Sequence, residues 1–188
     1  TYDSVTVTVT DAAGNASNAL SVTIFVVDTT APVANESSLS DVTAQCSVTS
    51  FTAPTATDSV SGTVTGTTST SLPITTQGTT VVTWTYTDDS GNTTTQTQNI
   101  VIDDTTAPVA NASSLSDVTA QCSASAPTAP TATDNCSGTV TGTTTTSFPV
   151  TTQGTTVVTW TYTDAEGNTT TQTQNIVIDD TTAPVADA

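Results

Sequence analysis

The chain of 188 residues contains 17 Asp and Glu residues but no Lys, Arg, His or Met, which gives a formal net charge of −17 at pH 7. The missing side chains exclude a Ser-His-Asp triad, a His-ligated zinc, a Schiff-base lysine and a P-loop lysine, so we expect no enzyme. Their absence also predicts no nucleic acid partner and no binding to anionic lipid, because Lys and Arg drive both interactions. No apolar run approaches ~18 residues, so we expect no membrane insertion and no signal peptide, and a chain that begins and ends inside a larger protein.

An internal repeat of 76 residues organises the chain. Residues 29–104 and 105–180 align without a gap and are identical at 64 of 76 positions. The string TTAPVA opens both segments and occurs again at 181–186. The sequence therefore predicts two complete domains at 29–104 and 105–180, the start of another repeat at 181–188, and the C-terminal part of a divergent repeat at 1–28.

Within a repeat, the pattern predicts β-structure. Thr occupies 53 positions and, like Val and Ile, is favoured on pleated strands. In chain order we predict strands at 41–47, 63–69, 72–76, 79–88 and 94–103, with turns between them.

The two longest predicted strands form a hairpin. Val82, Trp84 and Tyr86 alternate with Thr, which predicts one buried and one exposed face. The Gly-Asn turn within 88–92 joins this strand to the next one. About seven short strands in ~75 residues predict an all-β fold of tandem immunoglobulin-like β-sandwich repeats, arranged as beads on a string.

Two long strings carry a resemblance to a known family. PTATDNCSGTVTGT and FPVTTQGTTVVTWTYTDAEGNTTTQTQNIVIDDTTAP resemble the hyalin-repeat (HYR-like) immunoglobulin-type modules of giant surface adhesins in gliding Bacteroidota. The resemblance covers 29–188 well and 1–28 loosely. It implies an extracellular filament that is exported by the type IX route, attached to the outer membrane, and connected to the motility machinery through regions outside this segment.

The leading functional hypothesis is a structural stalk. It extends a binding tip from the cell and supports surface adhesion in gliding motility, with neighbouring repeats of the same chain as its direct partners. Two alternatives stay open. Many copies could bind surface polysaccharide weakly and gain avidity, or Thr-lined sheet edges could associate into a multi-chain fibre.

The three cysteines predict one disulfide. Cys46 and Cys122 occupy equivalent positions, whereas Cys136 has Val60 as its counterpart. We predict a Cys122–Cys136 bond in an oxidising compartment, which leaves Cys46 as a free thiol. Cys46 is then either a buried thiol or the source of an intermolecular disulfide.

Acidic residues recur where the repeats end. These acids are candidate ligands for calcium, which binds six to eight oxygen atoms. Calcium is the one cofactor that the sequence suggests. The candidates are Asp28, Asp103, Asp104, Asp179 and Asp180. The remaining oxygens would come from Asp41 and Asp117 or from turn acids, namely Asp88, Asp89 and Asp164. Alternatively, Asp104 and Asp180 only hydrogen-bond the backbone of the turn that follows them.

The family resemblance also implies a modification. Bacteroidota attach O-linked glycans where Asp-Ser or Asp-Thr precedes an apolar residue or Thr. The candidate acceptors are Thr29, Thr105, Thr181, Ser4 and Ser59. The three threonines lie in the predicted linkers, where the alternative is that the motif serves the linker conformation alone.

Overall fold

The computed structural model describes residues 2–18 and 20–186, with the backbone alone at 2–5 and 20–25. Every regular element in these residues is a β-strand, which confirms the predicted all-β class. The strands are β1 (Tyr2–Val7), β2 (Leu20–Phe25), β3 (Val33–Ala34), β4 (Val42–Ala44), β5 (Thr55–Asp58), β6 (Gly62–Thr65), β7 (Gly78–Thr87), β8 (Thr93–Ile102), β9 (Val109–Ala110), β10 (Val118–Ala120), β11 (Thr131–Asp134), β12 (Gly138–Thr141), β13 (Gly154–Thr163) and β14 (Thr169–Ile178). Within the described ranges, no helix has the length and apolarity needed to cross a membrane.

Within the part of the chain that the structure describes, the strands form five sheets with a recurring order. β1 and β2 pair antiparallel. The order β3-β5-β6 recurs as β9-β11-β12, and the order β4-β8-β7 recurs as β10-β14-β13. The six strands within 29–104 are thus repeated within 105–180, as the 76-residue period predicts.

The chain divides into two compact units, which are described separately. Unit 1 contains Thr1–Val42, Thr49–Pro73 and Thr79–Ile100, and unit 2 contains Thr43–Val48, Ile74–Gly78 and Val101–Ala188. The division does not follow the repeat boundary after residue 104, so the domain boundaries taken from the sequence stay a prediction.

The strands of the second repeat lie in unit 2 and form a small sandwich. Its longest element is the β13–β14 hairpin, which pairs ten residues from Gly154 opposite Ile178 to Thr163 opposite Thr169. β10 adds to β14 in parallel, with Val118 opposite Ile176. The second sheet is antiparallel, with β11 between β9 and β12.

Two apolar clusters fill this sandwich. The larger joins β13 and β14 through Val158, Trp160, Ile176 and Ile178, with Ala124 and Val150 beside them. The smaller contains Ala132, Val140 and Tyr162. Because Tyr162 belongs to β13 and its two neighbours to β11 and β12, this cluster holds the sheets together. Burial of each such large side chain contributes roughly 1.5–3 kcal/mol.

Glutamine side chains connect the buried aromatic residues to a loop. Trp160 Nε1 donates to Gln174 Oε1 at 3.1 Å, and Gln174 Nε2 donates to the Ser116 carbonyl at 2.9 Å. The Tyr162 hydroxyl donates to Gln172 Oε1 at 2.7 Å. The polar atoms of both aromatic side chains therefore keep a partner inside the sandwich.

The long predicted strands are confirmed, and the short ones differ. The predicted strand 41–47 is only Val42–Ala44, and 63–69 is Gly62–Thr65. The predicted strand 72–76 contributes a single bridge, between Ile74 and Val48. β5 lies between two predicted strands and has no counterpart in the prediction. Its TATD sequence pairs with β3 and β6, and the Asp starts the turn to β6.

Candidate functional site

Aspartates organise the hairpin turns. Asp164 Oδ1 accepts from the backbone N–H groups of Glu166 and Asn168 at 3.0 and 2.7 Å, and its Oδ2 accepts from Asn168 Nδ2 at 2.9 Å. Burial raises the pKa of Asp164, but the hydrogen bonds from Asn168, Gly167 and Glu166 outweigh it and hold the pKa below its usual value. The same contacts recur between Asp88 and Asn92.

In unit 1, three aspartates from distant segments converge. Asp28 precedes the TTAP string, Asp58 ends β5 and Asp88 follows β7. Their carboxylate oxygens lie within 4.8 Å of one another. Asp58 and Asp88 are buried, and the Asn92 Nδ2 group ties the turn to the Asp28 carbonyl at 3.1 Å.

Each of two carboxylates in this cluster uses one oxygen for the backbone and leaves the other without a partner. Asp28 Oδ1 accepts from Thr30 N at 3.0 Å. Asp58 Oδ1 accepts from Ser61 N and Val60 N, both at 2.8 Å, and these bonds lower the pKa of Asp58. The Oδ2 atoms of Asp28 and Asp58 are buried and have no hydrogen-bond partner.

Unit 2 contains two groups of potential ligand atoms that share Asp104. Asp104 has ligand atoms within 4.8 Å of those of Asp134 and Cys136 in one group, and of Asp164 and Glu166 in another. Asp104 Oδ1 accepts from Thr106 N at 3.1 Å, and Asp134 Oδ1 accepts from Ser137 N at 2.7 Å.

The Oδ2 atoms of Asp104 and Asp134 are also buried and have no hydrogen-bond partner. The Cys136 sulfur belongs to a disulfide, so it offers no thiolate. The metal-ligating chemistry of both clusters is that of carboxylate oxygen.

The structure brings two of the five junction acids into these clusters. Asp28 and Asp104 are members, and Oδ1 of each also accepts from a backbone N–H group of the following turn. Asp103, Asp179 and Asp180 are exposed and lie outside the clusters found among the described residues.

Asp58 and Asp134 are cluster members that the calcium prediction did not include. The signal that could have found them is their spacing. Cluster acids follow one another at intervals of 30 residues, at 28, 58 and 88 and again at 104, 134 and 164.

The predicted cysteine pairing is wrong. The structure joins Cys46 to Cys136, with a Cα–Cα distance of 5.1 Å, and leaves Cys122 as an exposed free thiol. Cys122 follows β10 in one sheet, whereas Cys136 lies in the β11–β12 turn of the other sheet, beside the segment Thr43–Val48 in unit 2. Asn135 Nδ2 supports this placement by donating to Gln45 Oε1 at 3.0 Å.

The candidate glycan acceptors are accessible where their side chains are described. Thr29, Thr105, Thr181 and Ser59 are exposed. Ser4 lies in β1, and its side chain is outside the described part of the chain. Glycosylation at these positions stays a prediction.

A family comparison matches one segment of the chain. Residues 108–178 match the family model described as an HYR-like domain with 4 cysteines. This segment is similar to HYR-like domains. The matched segment contains two cysteines, Cys122 and Cys136, and the segment 29–104 is identical to 105–180 at 64 of 76 positions. Together with the disulfide, which forms in oxidising compartments, the match indicates an extracellular repeat of the adhesion type.

Comparison with solved structures finds distant likenesses. The chain is similar to the extracellular cadherin domains of protocadherin gamma B2, with 14% identity, a TM-score of 0.37, and coverage of 94% of this chain and 45% of that one. It is also similar to mouse clustered protocadherin gamma C3, with 9% identity, a TM-score of 0.37, and coverage of 95% and 77%. An endo-fucoidan hydrolase of glycoside hydrolase family 107 has 13% identity, a TM-score of 0.34, and coverage of 95% and 34%.

The chain thus spans about half or less of some of these structures. No curated protein matches the sequence significantly. The family match to residues 108–178 is the comparison that bears on function.

Proposed function

We propose that this chain is part of an extracellular stalk in a giant surface adhesin, with HYR-like domains at 29–104 and 105–180 as spacers. The observation that carries the proposal is the near-identity of consecutive repeats, which differ at 12 of 76 positions. A spacer needs repetition, whereas a recognition site depends on particular loops. The family resemblance extends the proposal to an adhesin like the flavobacterial gliding-motility adhesin SprB, exported by the type IX route and held at the outer membrane.

The positions of the aromatic residues also favour a spacer over sugar binding. Trp84 and Trp160 are 3% and 4% exposed, so neither indole offers a face on which a sugar ring could stack. The same burial explains why a Trp occupies this position in both complete repeats, since each indole is packed into a core.

The test is an in-frame deletion of residues 105–180 in the full-length protein on its native cell. The deletion joins Asp104 to Thr181 and recreates the sequence DTTAPVA. We expect surface filaments shortened by one repeat, measured by electron microscopy after antibody labelling, with adhesion per filament retained.

Three results would contradict the stalk. They are an unchanged filament length, adhesion to polysaccharide that falls in proportion to repeat number, and a mass per length that corresponds to several chains side by side. The second result would favour multivalent polysaccharide binding, and the third a self-associating fibre.

A further inference from the structure

We propose that each aspartate cluster binds one calcium ion, held by Asp28, Asp58 and Asp88 in unit 1 and by Asp104, Asp134 and Asp164 in unit 2. The proposal concerns binding by the described residues and does not rest on the stalk function. It differs from the sequence prediction in its ligands, since it omits Asp103, Asp179 and Asp180 and adds Asp58 and Asp134.

The unpartnered carboxylate oxygens carry the proposal. Asp58, Asp104 and Asp134 are 4%, 4% and 5% exposed, and the Oδ2 atom of each is buried without a hydrogen bond. A buried ionised carboxylate is costly unless a donor or a cation compensates it. In both clusters such an oxygen lies beside a second unpartnered carboxylate, so the cost is increased by repulsion.

The protein cannot supply the missing positive charge from its side chains. The chain contains no Lys, Arg or His. Asn92 and Asn168 donate to the carboxylate oxygens of Asp88 and Asp164, and not to the Oδ2 atoms that have no hydrogen-bond partner. The compensating charge must come from solvent. A divalent cation neutralises two carboxylates at once, whereas a shared proton neutralises only one.

The donor set and its spacing select calcium. Calcium binds oxygen at about 2.3–2.6 Å, so two ligands on opposite sides of the ion are about 4.6–5.2 Å apart and neighbouring ligands are closer. In unit 1 the three cluster oxygens lie within 4.8 Å of one another, and in unit 2 an Asp104 oxygen lies within that distance of Asp134 in one group and of Asp164 in another. Zinc favours His and Cys ligands, which these clusters lack, and magnesium requires a tighter octahedron.

An ion in either cluster would join three segments that are far apart in sequence. In unit 2 these are the residues before TTAP, the end of β11 and the turn after β13. Asn168 Nδ2 already donates to the Asp104 carbonyl at 3.0 Å, so two of the segments are in place before an ion binds. Because the unfolded chain cannot assemble the site, calcium is expected to stabilise the folded state by mass action.

The experiment titrates calcium chloride into the intact chain after chelator treatment and desalting. By isothermal calorimetry we expect two ions per chain, and we expect the melting temperature to rise with calcium concentration. Asp58→Asn keeps the Oδ1 acceptor for its turn but removes the charge, and should leave one ion per chain. Asp104→Asn does the same independently in unit 2, and the variant carrying both substitutions should bind at least tenfold more weakly.

Asp103→Asn is the matched control, because it removes one charge from an exposed acid beside Asp104 but outside the clusters. It should still bind two ions. Circular dichroism in calcium-free buffer checks that Asp58→Asn and Asp104→Asn remain folded. Should one of them unfold there, the other variant and the wild-type stoichiometry carry the test.

Several outcomes would overturn the proposal. The first is a wild-type chain that gives no binding heat and no thermal shift at millimolar calcium. The second is an equal shift with magnesium at the same concentration, which would indicate general charge screening. The third is a loss of binding in Asp103→Asn as large as in the cluster variants.

Discussion

At the residue scale, the clustered aspartates separate the roles of their two carboxylate oxygens. In Asp58 and Asp134, one oxygen accepts two backbone N–H groups and fixes a turn, while the other is left to the cluster. A carboxylate has about four acceptor positions, so one side chain can do both. In a chain without cationic side chains, such acids shape the backbone where other proteins use ion pairs.

The pKa shifts predict that acid destabilises the fold. The pKa values of Asp58 and Asp164 are lowered in the folded state, so the unfolded chain binds their protons more readily. Their contribution is complete above the unfolded pKa of about 3.9 and is lost as pH falls through the folded values. Thermal unfolding in calcium-free buffer should give a constant melting temperature from about pH 7 to pH 5 and a falling one below about pH 4.

Asp164→Asn provides the comparison for this acid dependence. The variant should be less stable at neutral pH, because the Nδ2 group that replaces Oδ2 at position 164 cannot accept the hydrogen bond from Asn168 Nδ2. Its melting temperature should fall less steeply with acid, because one titrating carboxylate is removed. A wild-type melting temperature that rises between pH 5 and pH 3 would contradict the assigned pKa directions.

At the element scale, the long hairpin explains why part of the fold is readable from sequence. In β13, Val158, Trp160 and Tyr162 point into the core and alternate with threonines. Thr159 lies opposite Thr173, and both side chains are exposed. The strict alternation and the Gly-containing turn are local signals, so strand limits come within one residue of prediction.

The shorter strands lack such local signals. β9 has two residues and lies in a segment that reads as linker, and β11 coincides with a turn motif. The parallel pairing of Val118 with Ile176 joins residues 58 positions apart, and no local pattern specifies it. Cluster membership has the same origin: Asp134 meets Asp104 only because the sheets bring their ends together.

A glycine fixes the approach of β12 to the hairpin, which leads to a packing prediction. A Cβ atom at Gly142 would lie 3.1 Å from Tyr162 Cε1 and 3.2 Å from the Pro130 carbonyl oxygen. Tyr162 is fully buried and its hydroxyl is hydrogen-bonded to Gln172, so its ring cannot move freely. The Pro130 carbonyl is held by a hydrogen bond from Gly142 N at 2.8 Å. Gly142→Ala should therefore lower the free energy of unfolding by about 1–3 kcal/mol.

Denaturant unfolding measures this effect, with Thr171→Ala on the exposed face as the control. The control should change stability by less than about 0.5 kcal/mol. A Gly142→Ala variant as stable as the wild type would mean that Tyr162 has more room than the packing indicates.

At the scale of the whole molecule, the disulfide crosses the repeat period. The sequence prediction places the bond within one repeat, because Cys46 and Cys122 occupy equivalent positions and Cys136 has no cysteine counterpart. The equivalence of Cys46 and Cys122 cannot show which of them pairs with Cys136. The two cysteines have the same local sequence, but they differ in the residues that surround them in the fold. Cys136 has Val60 as its counterpart, so only the second repeat has a cysteine at this position.

The pairing predicts different effects for two substitutions. Cys46→Ser should lower the melting temperature of the oxidised chain, since a 90-residue loop is worth about 4–5 kcal/mol in the chain-entropy model. Cys122→Ser should leave the melting temperature unchanged, because Cys122 is exposed and unbonded. Addition of a reductant should remove the difference between the two variants.

Peptide mapping tests the pairing directly. Trypsin has no Lys or Arg to cut at, so digestion at acidic or aromatic residues is needed. A cross-linked peptide that contains Cys46 and Cys136, with Cys122 alkylated before reduction, is expected. A Cys122–Cys136 peptide would restore the pairing predicted from the sequence.

The same bond determines how the chain responds to a pull. Tension applied to its two ends would pass from Cys46 to Cys136 through the sulfur atoms and bypass the loop between them. A fully extended chain spans about 3.3–3.6 Å per residue, so a 90-residue separation withholds about 300 Å of contour length. Even if force unfolded the sandwich, the chain could not release that length until the bond was reduced, and its greatest extension would be set by redox chemistry.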